Sequence, residues 1–174
     1  MGIQFETDYN METLTAMAKG LRKTVRKKRS RRVHIFAAVV LILGLLTILA
    51  TTAGGEPLGA SGVVTLLAML VVILVSLFED KLNAWFARKR LLPGTEHAAA
   101  TFEEDGYVSA TSMSESKFSY AQIVAVAETA RYFVFALSSH HTQAYDKRNI
   151  RGGSVEDFRA FIAEKTGKPV EDIK

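Results

Sequence analysis

The sequence predicts a membrane α+β protein: a hairpin of two transmembrane helices joined to an antiparallel β-sheet or open barrel that a C-terminal helix covers. Three observations carry this. Two apolar runs, Val33 to Ala53 and Leu58 to Phe78, contain no Asp, Glu, Lys or Arg and are separated by four residues, 54–57. After Glu96 the apolar period changes from helical to alternating. Between Ser154 and Gly167 lie the cap, the stripe and the stop of one amphipathic helix.

In chain order, Ile3-Gln4-Phe5-Glu6 alternates apolar and polar, as a short half-buried strand does, and residues 1–8 form that unit. Asp8 or Asn10 then caps a helix on which Leu14, Met17, Leu21 and Val25 recur at helical spacing. No Pro interrupts the chain before the first span, so one long basic helix is predicted from about Tyr9 through Arg32 and on into the membrane. Each apolar run is about 21 residues, enough at ~1.5 Å per residue to cross a hydrocarbon core of ~30 Å. The connection Gly54-Gly55-Glu56-Pro57 is turn chemistry, too short for a domain. Beyond Phe78 a juxtamembrane helix continues towards Leu92, with Leu82, Trp85, Phe86 and Lys89 on one face, and Pro93-Gly94 ends it within the linker segment 79–94. Trp85 suits a headgroup-level position; burial under the C-terminal domain is the competing place for it.

Charge orients the hairpin. The net charge is +4 and the pI about 9.4, but the positive charge is concentrated. Residues 1–34 hold Lys19, Arg22, Lys23, Arg26, Lys27, Lys28, Arg29, Arg31 and Arg32, and Lys81, Arg88, Lys89 and Arg90 follow the second span, whereas the connection has no Lys or Arg. Basic flanks stay on the cytoplasmic side during insertion, so both termini are predicted inside and residues 54–57 outside, in a multi-pass protein of the cell (inner) membrane. Arg29, Arg31, Arg32, Trp85 and Arg88 are the predicted interface anchors, facing the lipid bilayer. A cleaved signal at Thr51-Thr52-Ala53 competes, but a signal core is usually ~7–15 residues and this run is longer. Ser30-Arg31-Arg32 does not make a twin-arginine signal, because His34 stands where an apolar residue is wanted. Charge packed against a span is explained by topology, and no nucleic-acid partner is expected.

Residues 95–174 are mildly acidic and read as strands in series: His97 to Glu103, a turn at Asp105-Gly106, Tyr107 to Ser112, Lys117 to Tyr120, Ile123 to Thr129, Tyr132 to Leu137 and Thr142 to Tyr145. The closing helix starts at Ser154, paired with Asp157, carries Val155, Phe158, Phe161 and Ile162 as its stripe, and stops at Gly167. A sheet with raw edges is a liability, so the strand of residues 1–8 is predicted to join the C-terminal sheet on the shared side of the membrane.

Phe118-Ser119-Tyr120, Ile123, Val126-Ala127-Glu128-Thr129 with Tyr132-Phe133, and Asp146-Lys147-Arg148 before the closing helix resemble the YcxB-like family of bacterial membrane proteins. Tyr120 stands where that family commonly shows Trp, and Asp146 where Pro is usual. The resemblance implies a short N-terminal strand and helix, two spans, and a C-terminal pleckstrin-homology-like (PH-like) domain of seven strands closed by one helix. It implies no general biochemical activity.

Catalytic motifs are missing. No phosphate-binding loop, dinucleotide fingerprint, nucleophile elbow or zinc-protease helix occurs, and without cysteine there is no disulfide or thiolate metal site. His140-His141 with Asp146 is the nearest thing to a metal or acid–base cluster and reads as a solvated loop. Inside the two spans there is no acid, Lys or Arg to mark an ion pathway, and two spans line a pore only as an oligomer, so a homo-oligomer is kept as an alternative assembly. No enzyme and no cofactor are expected. Lys147, Arg148 and Arg151, beside Gly152-Gly153, form a small basic patch suited to anionic lipid headgroups or a partner protein, with a solvated loop as the plainer reading. The expected function is a protein- or lipid-binding module at the membrane surface; the rivals are an immunity or accessory subunit of a toxin or transport system, and a membrane enzyme with an unrecognised site.

Overall fold

A computed structural model of the chain describes residues 2–55 and 57–173. The predicted outer turn includes Glu56, which lies outside the described residues. Strand β1 (Ile3–Asp8) leads into helix α1 (Met11–Lys23), followed by two long apolar helices, α2 (Lys27–Ala53) and α3 (Ala60–Leu77), and then α4 (Glu79–Lys89). Strands β2 (His97–Phe102), β3 (Tyr107–Thr111), β4 (Glu115–Phe118), β5 (Ala125–Glu128), β6 (Tyr132–Ala136) and β7 (Thr142–Asp146) come next, then α5 (Val155–Thr166) and β8 (Val170–Asp172).

α2 and α3 are each long and apolar enough to cross a membrane, and neither buries a residue within the protein. Their hydroxyls are satisfied locally: Thr47 Oγ1 donates to the Leu43 carbonyl and Thr65 Oγ1 to that of Ser61, 2.9 Å each.

The predicted continuous basic helix is instead two helices. Thr24 leaves helical geometry (ψ −92°), its amide still donating to the Gly20 carbonyl, and α2 starts again at Lys27. The break is a tertiary effect, absent from local propensity. Arg22 is held by Asp80 of α4 at 2.6 and 2.7 Å, while Arg26 Nε donates to the Ser139 carbonyl at 2.6 Å, so the chain is pulled towards two neighbours one turn apart. The helix after Phe78 is also shorter than predicted, turning at Arg90.

The strands form two four-stranded sheets, β1-β2-β3-β4 and β7-β6-β5-β8. β1 runs antiparallel to β2 over six pairs, from Ile3 opposite Phe102 to Asp8 opposite His97. It also meets the second sheet: the Asp146 amide donates to Thr7 Oγ1 at 3.0 Å, and Gln4 and Arg151 exchange two backbone hydrogen bonds of 2.9 Å. Gly152 lies beside that junction with φ +82°, and a Cβ there would stand 2.8 Å from the Gly2 carbonyl oxygen.

Two features depart from an all-antiparallel, seven-strand expectation. Tyr120 sits in a short 3₁₀ turn rather than a strand, and the described residues contain an eighth strand, β8, parallel to β5 from Val126 opposite Val170 to Glu128 opposite Asp172. The crossover α5 supplies the reversal of direction that a parallel pair needs.

The core explains the layering. Phe5, Phe102 and Tyr107 from the first sheet meet Phe133, Phe135 and Tyr145 from the second, and α5 closes this end with Phe158 and Ile162, all buried. The other face of the second sheet is covered by α1, where Ala16 and Met17 pack on Tyr132, Val134 and Ala144. A Cβ on Gly20 would sit 2.7 Å from Val134 Cγ1, so glycine is what lets α1 lie this close. α1 therefore ties the β-domain to the apolar hairpin.

Candidate functional site

A concavity of about 630 Å³ opens where α2 leaves the β-domain. α1 has an amphipathic register that turns Leu14, Met17 and Leu21 into its floor, and Val33 and Phe86 complete the apolar side. The rim is cationic: Arg22, Arg26, Arg29 and Arg90 against one carboxylate, Glu79. His140 and His141 of the β6–β7 loop close the far wall, placed there by the Arg26–Ser139 hydrogen bond.

These arginines are not equivalent. Arg22 is bound bidentately by Asp80, which raises its pKa further, and so serves to dock α1 on α4. Arg29 and Arg90 form no ion pair among the described residues, and Arg26 commits only Nε, to a neutral carbonyl. The guanidinium groups of three arginines thus face a half-apolar cleft with one acid, an arrangement that favours an anionic, amphiphilic ligand.

A second chamber of about 370 Å³ adjoins the cleft and shares Leu14, Met17, His141 and Thr142 with it. It lies between the first sheet and β7, beside α1. In the rows Phe5-Ala100-Ser109-Ser116 and Thr7-Ala98-Thr111 the β2, β3 and β4 residues are small, where the row Ile3-Phe102-Tyr107-Phe118 carries three rings. Gln143 reaches this chamber from β7. It is 7% exposed, its Oε1 accepts from the Tyr107 and Tyr145 hydroxyls at 2.7 Å each, and its Nε2 donates to nothing among the described residues. A third concavity, between α1 and the β5–β6 turn, is largely apolar and is rimmed by Arg131, which is already held by Asp146 and Glu12.

The residues singled out in the sequence fall in two places. Lys147 Nζ donates to Glu128 Oε1 at 2.7 Å, Arg148 binds Asp146, and Arg151 lies 3.3 Å from Glu6. Lys147 is therefore an internal ion-pair partner with a side chain only 12% exposed, and none of the three lines the cleft. Glu128 also binds Arg159 at 2.6 and 2.7 Å, and these hydrogen bonds, Arg159 first and Lys147 next, lower its pKa against the opposing effect of burial.

Among the anchors, Arg29 is at the cleft, while Arg31, Arg32 and Arg88 are exposed and line none of it. Trp85 is not buried under the β-domain. It is 45% exposed, packs edge-on against Phe86, and carries Lys89 Nζ 3.6 Å from its ring centroid. His140 and His141 are exposed, while Asp146 is buried at the other end of β7 with Arg131 and Arg148, so that trio does not assemble. No group of three or more potential metal ligands occurs among the described residues.

Sequence reading missed the cleft because its cations come from three segments. Arg22, Arg26 and Arg29, spaced four and three, were the available signal, but a run of positive charge before a span has a sufficient explanation in topology. Arg90 and the two histidines join them only in three dimensions.

Residues 102–162 match the family model described as YcxB-like protein. The match runs from the end of β2 into α5 and contains the Phe118 to Arg148 residues that carry the resemblance; β1 and helices α1 to α4 lie outside it. No curated protein and no solved structure matches the chain.

Proposed function

We propose that this is a two-span inner-membrane protein, with both termini cytoplasmic, whose β-domain is a PH-like module that binds anionic lipid headgroups in the cleft between α1, α2, α4 and the β6–β7 loop. One observation carries the reading: the unpaired cations Arg29 and Arg90, with Arg26, ring an apolar-floored cleft at the point where the apolar hairpin departs. Polybasic sites next to a span gain about 1 kcal/mol per charge from an anionic leaflet. Exposed Leu82, Trp85 and Phe86 on α4 provide an apolar and aromatic surface suited to the interface. The two four-stranded sheets around an aromatic core, closed by α5, support the PH-like reading.

The test is lipid retention by the full chain in nanodiscs of phosphatidylcholine with or without anionic lipid. Wild type is expected to enrich anionic lipid around itself, and Arg26→Glu with Arg29→Glu to abolish the enrichment. Equal retention by the variant removes the cleft from the reading. A reporter active only outside the membrane, inserted at residues 54–57, checks the topology: silence there refutes it.

A further inference from the structure

Resting on the headgroup reading of the cleft, we infer that the chamber behind it is a second subsite, and that the ligand is a polyol phosphate: the phosphate lies among Arg26, Arg29 and Arg90 while its hydroxylated tail enters the chamber. The two cavities share four lining residues, so one molecule spans them. The chamber wall is chemically specific. Ser109, half-buried, and Ser116, exposed on β4, line the cavity from paired positions, and neither hydroxyl has a hydrogen-bond partner among the described residues. Opposite them stands the Gln143 amide, nine-tenths buried, fixed at Oε1 by two tyrosine hydroxyls and therefore presenting Nε2 to the cavity.

Gln143 Nε2 and both serine hydroxyls are open to the cavity with no protein partner among the described residues, so only solvent meets them there, and the paired serines leave volume that Val or Leu would have filled. Both facts are accounted for by a guest carrying vicinal hydroxyls, which both donate and accept. An acyl chain does neither, because it would displace water from the Gln143 amide and the serines without replacing those hydrogen bonds.

Such a group comes from two sources, a glycerol-bearing lipid headgroup or a free polyol phosphate. The experiment uses the full chain in nanodiscs and separates them. Phosphatidylglycerol and phosphatidic acid compete for retention, read by native mass spectrometry; in a second arm, soluble glycerol 3-phosphate is added to chain in phosphatidylcholine alone. Phosphatidic acid has the more highly charged phosphate and no polyol, so charge alone favours it. Preference for phosphatidylglycerol of roughly tenfold is expected, the effect of about two net hydrogen bonds.

Ser109→Val fills the chamber and is expected to bring that ratio to unity or below while phosphatidic acid retention stays as in wild type. Gln143→Leu should act likewise, and the Ser109 variant decides the matter where loss of Gln143 impairs folding. Binding of glycerol 3-phosphate with the same Ser109 dependence, in the absence of phosphatidylglycerol preference, assigns the subsite to the soluble source. A wild-type preference for phosphatidic acid, or a Ser109-independent ratio, with no Ser109-dependent glycerol 3-phosphate binding, overturns the inference while leaving the arginine cleft standing. Loss of all anionic preference in wild type overturns the cleft reading instead.

Discussion

At one end of the first sheet the row of paired residues reads Ile3, Phe102, Tyr107 and Phe118; two residues further along the same strands it reads Phe5, Ala100, Ser109 and Ser116, and beyond that Thr7, Ala98 and Thr111. The first end is filled. Phe158 from α5 meets Phe102 of that row, Phe133 of β6 and Phe5 at the start of the next row, with ring centroids 4.7 to 5.0 Å apart. The second end is left open, though its backbone pairing is just as regular. On the proposed reading, stability and binding are allotted to different ends of one set of strands, and the division is made by side-chain volume.

Four perturbations test that division, the strongest first. Deleting residues 2–7 removes β1 from the sheet together with Phe5, and the β-domain is expected to lose protease resistance altogether. Resistance equal to wild type would show that the filled end does not depend on β1. Phe158→Ala empties the filled end and should cost about 3–5 kcal/mol in denaturant unfolding of the full chain in detergent, whereas Ser109→Ala at the open end should stay within about 0.5 kcal/mol. Similar costs for both would erase the contrast.

Gly20→Val forces a side chain against Val134 and should destabilise by about 1–3 kcal/mol, loosening α1 from the second sheet rather than disturbing the aromatic end. The smallest effect is with acid. Because Arg159 and Lys147 hold the Glu128 pKa below its ordinary value of 4.5, Glu128 binds its proton more readily when unfolded. Its contribution to stability is therefore complete above about pH 4.5 and declines as the pH falls through the lowered folded value. Glu128→Gln should flatten that part of a stability–pH curve; an unaltered curve would remove Glu128 as its source. Tyr120, pushed up to about 12 by burial, remains protonated throughout that range and keeps its hydrogen bonds to the Glu103 and Gly106 carbonyls.

Local signals account for much of this architecture. The two apolar runs correspond to α2 and α3, and Ser154 and Gly167 bound α5 as a capping box and a left-handed stop with φ 63°. The alternation of Ile3 to Glu6 corresponds to β1, with Phe5 inward. β6 is harder to read, because α1 covers the face that alternation would leave wet and all five residues are buried. β8 has three residues, two of them acidic, and follows a helix stop and a proline; its only strand-forming cause is a parallel edge on β5, far away in sequence. The break at Thr24 is equally remote in origin. For the candidate site, Ala98, Ala100, Ser109 and Ser116 were visible as small residues, but that they face one another is a matter of register, which no single strand encodes.

The pairing of β1 with β2 also imposes an order of events on synthesis. β1 is made first, yet its partner His97–Phe102 is made only after both apolar helices. At ~5–20 residues per second the intervening segment of about ninety residues takes several seconds, during which β1 has no strand to join. Both apolar helices have therefore been synthesised before the sheet can close, and β1 and β2 meet only if the chain on either side of them returns to one place. A chain in which the hairpin held them apart would keep β1 as an orphan strand and leave the sheet one strand short.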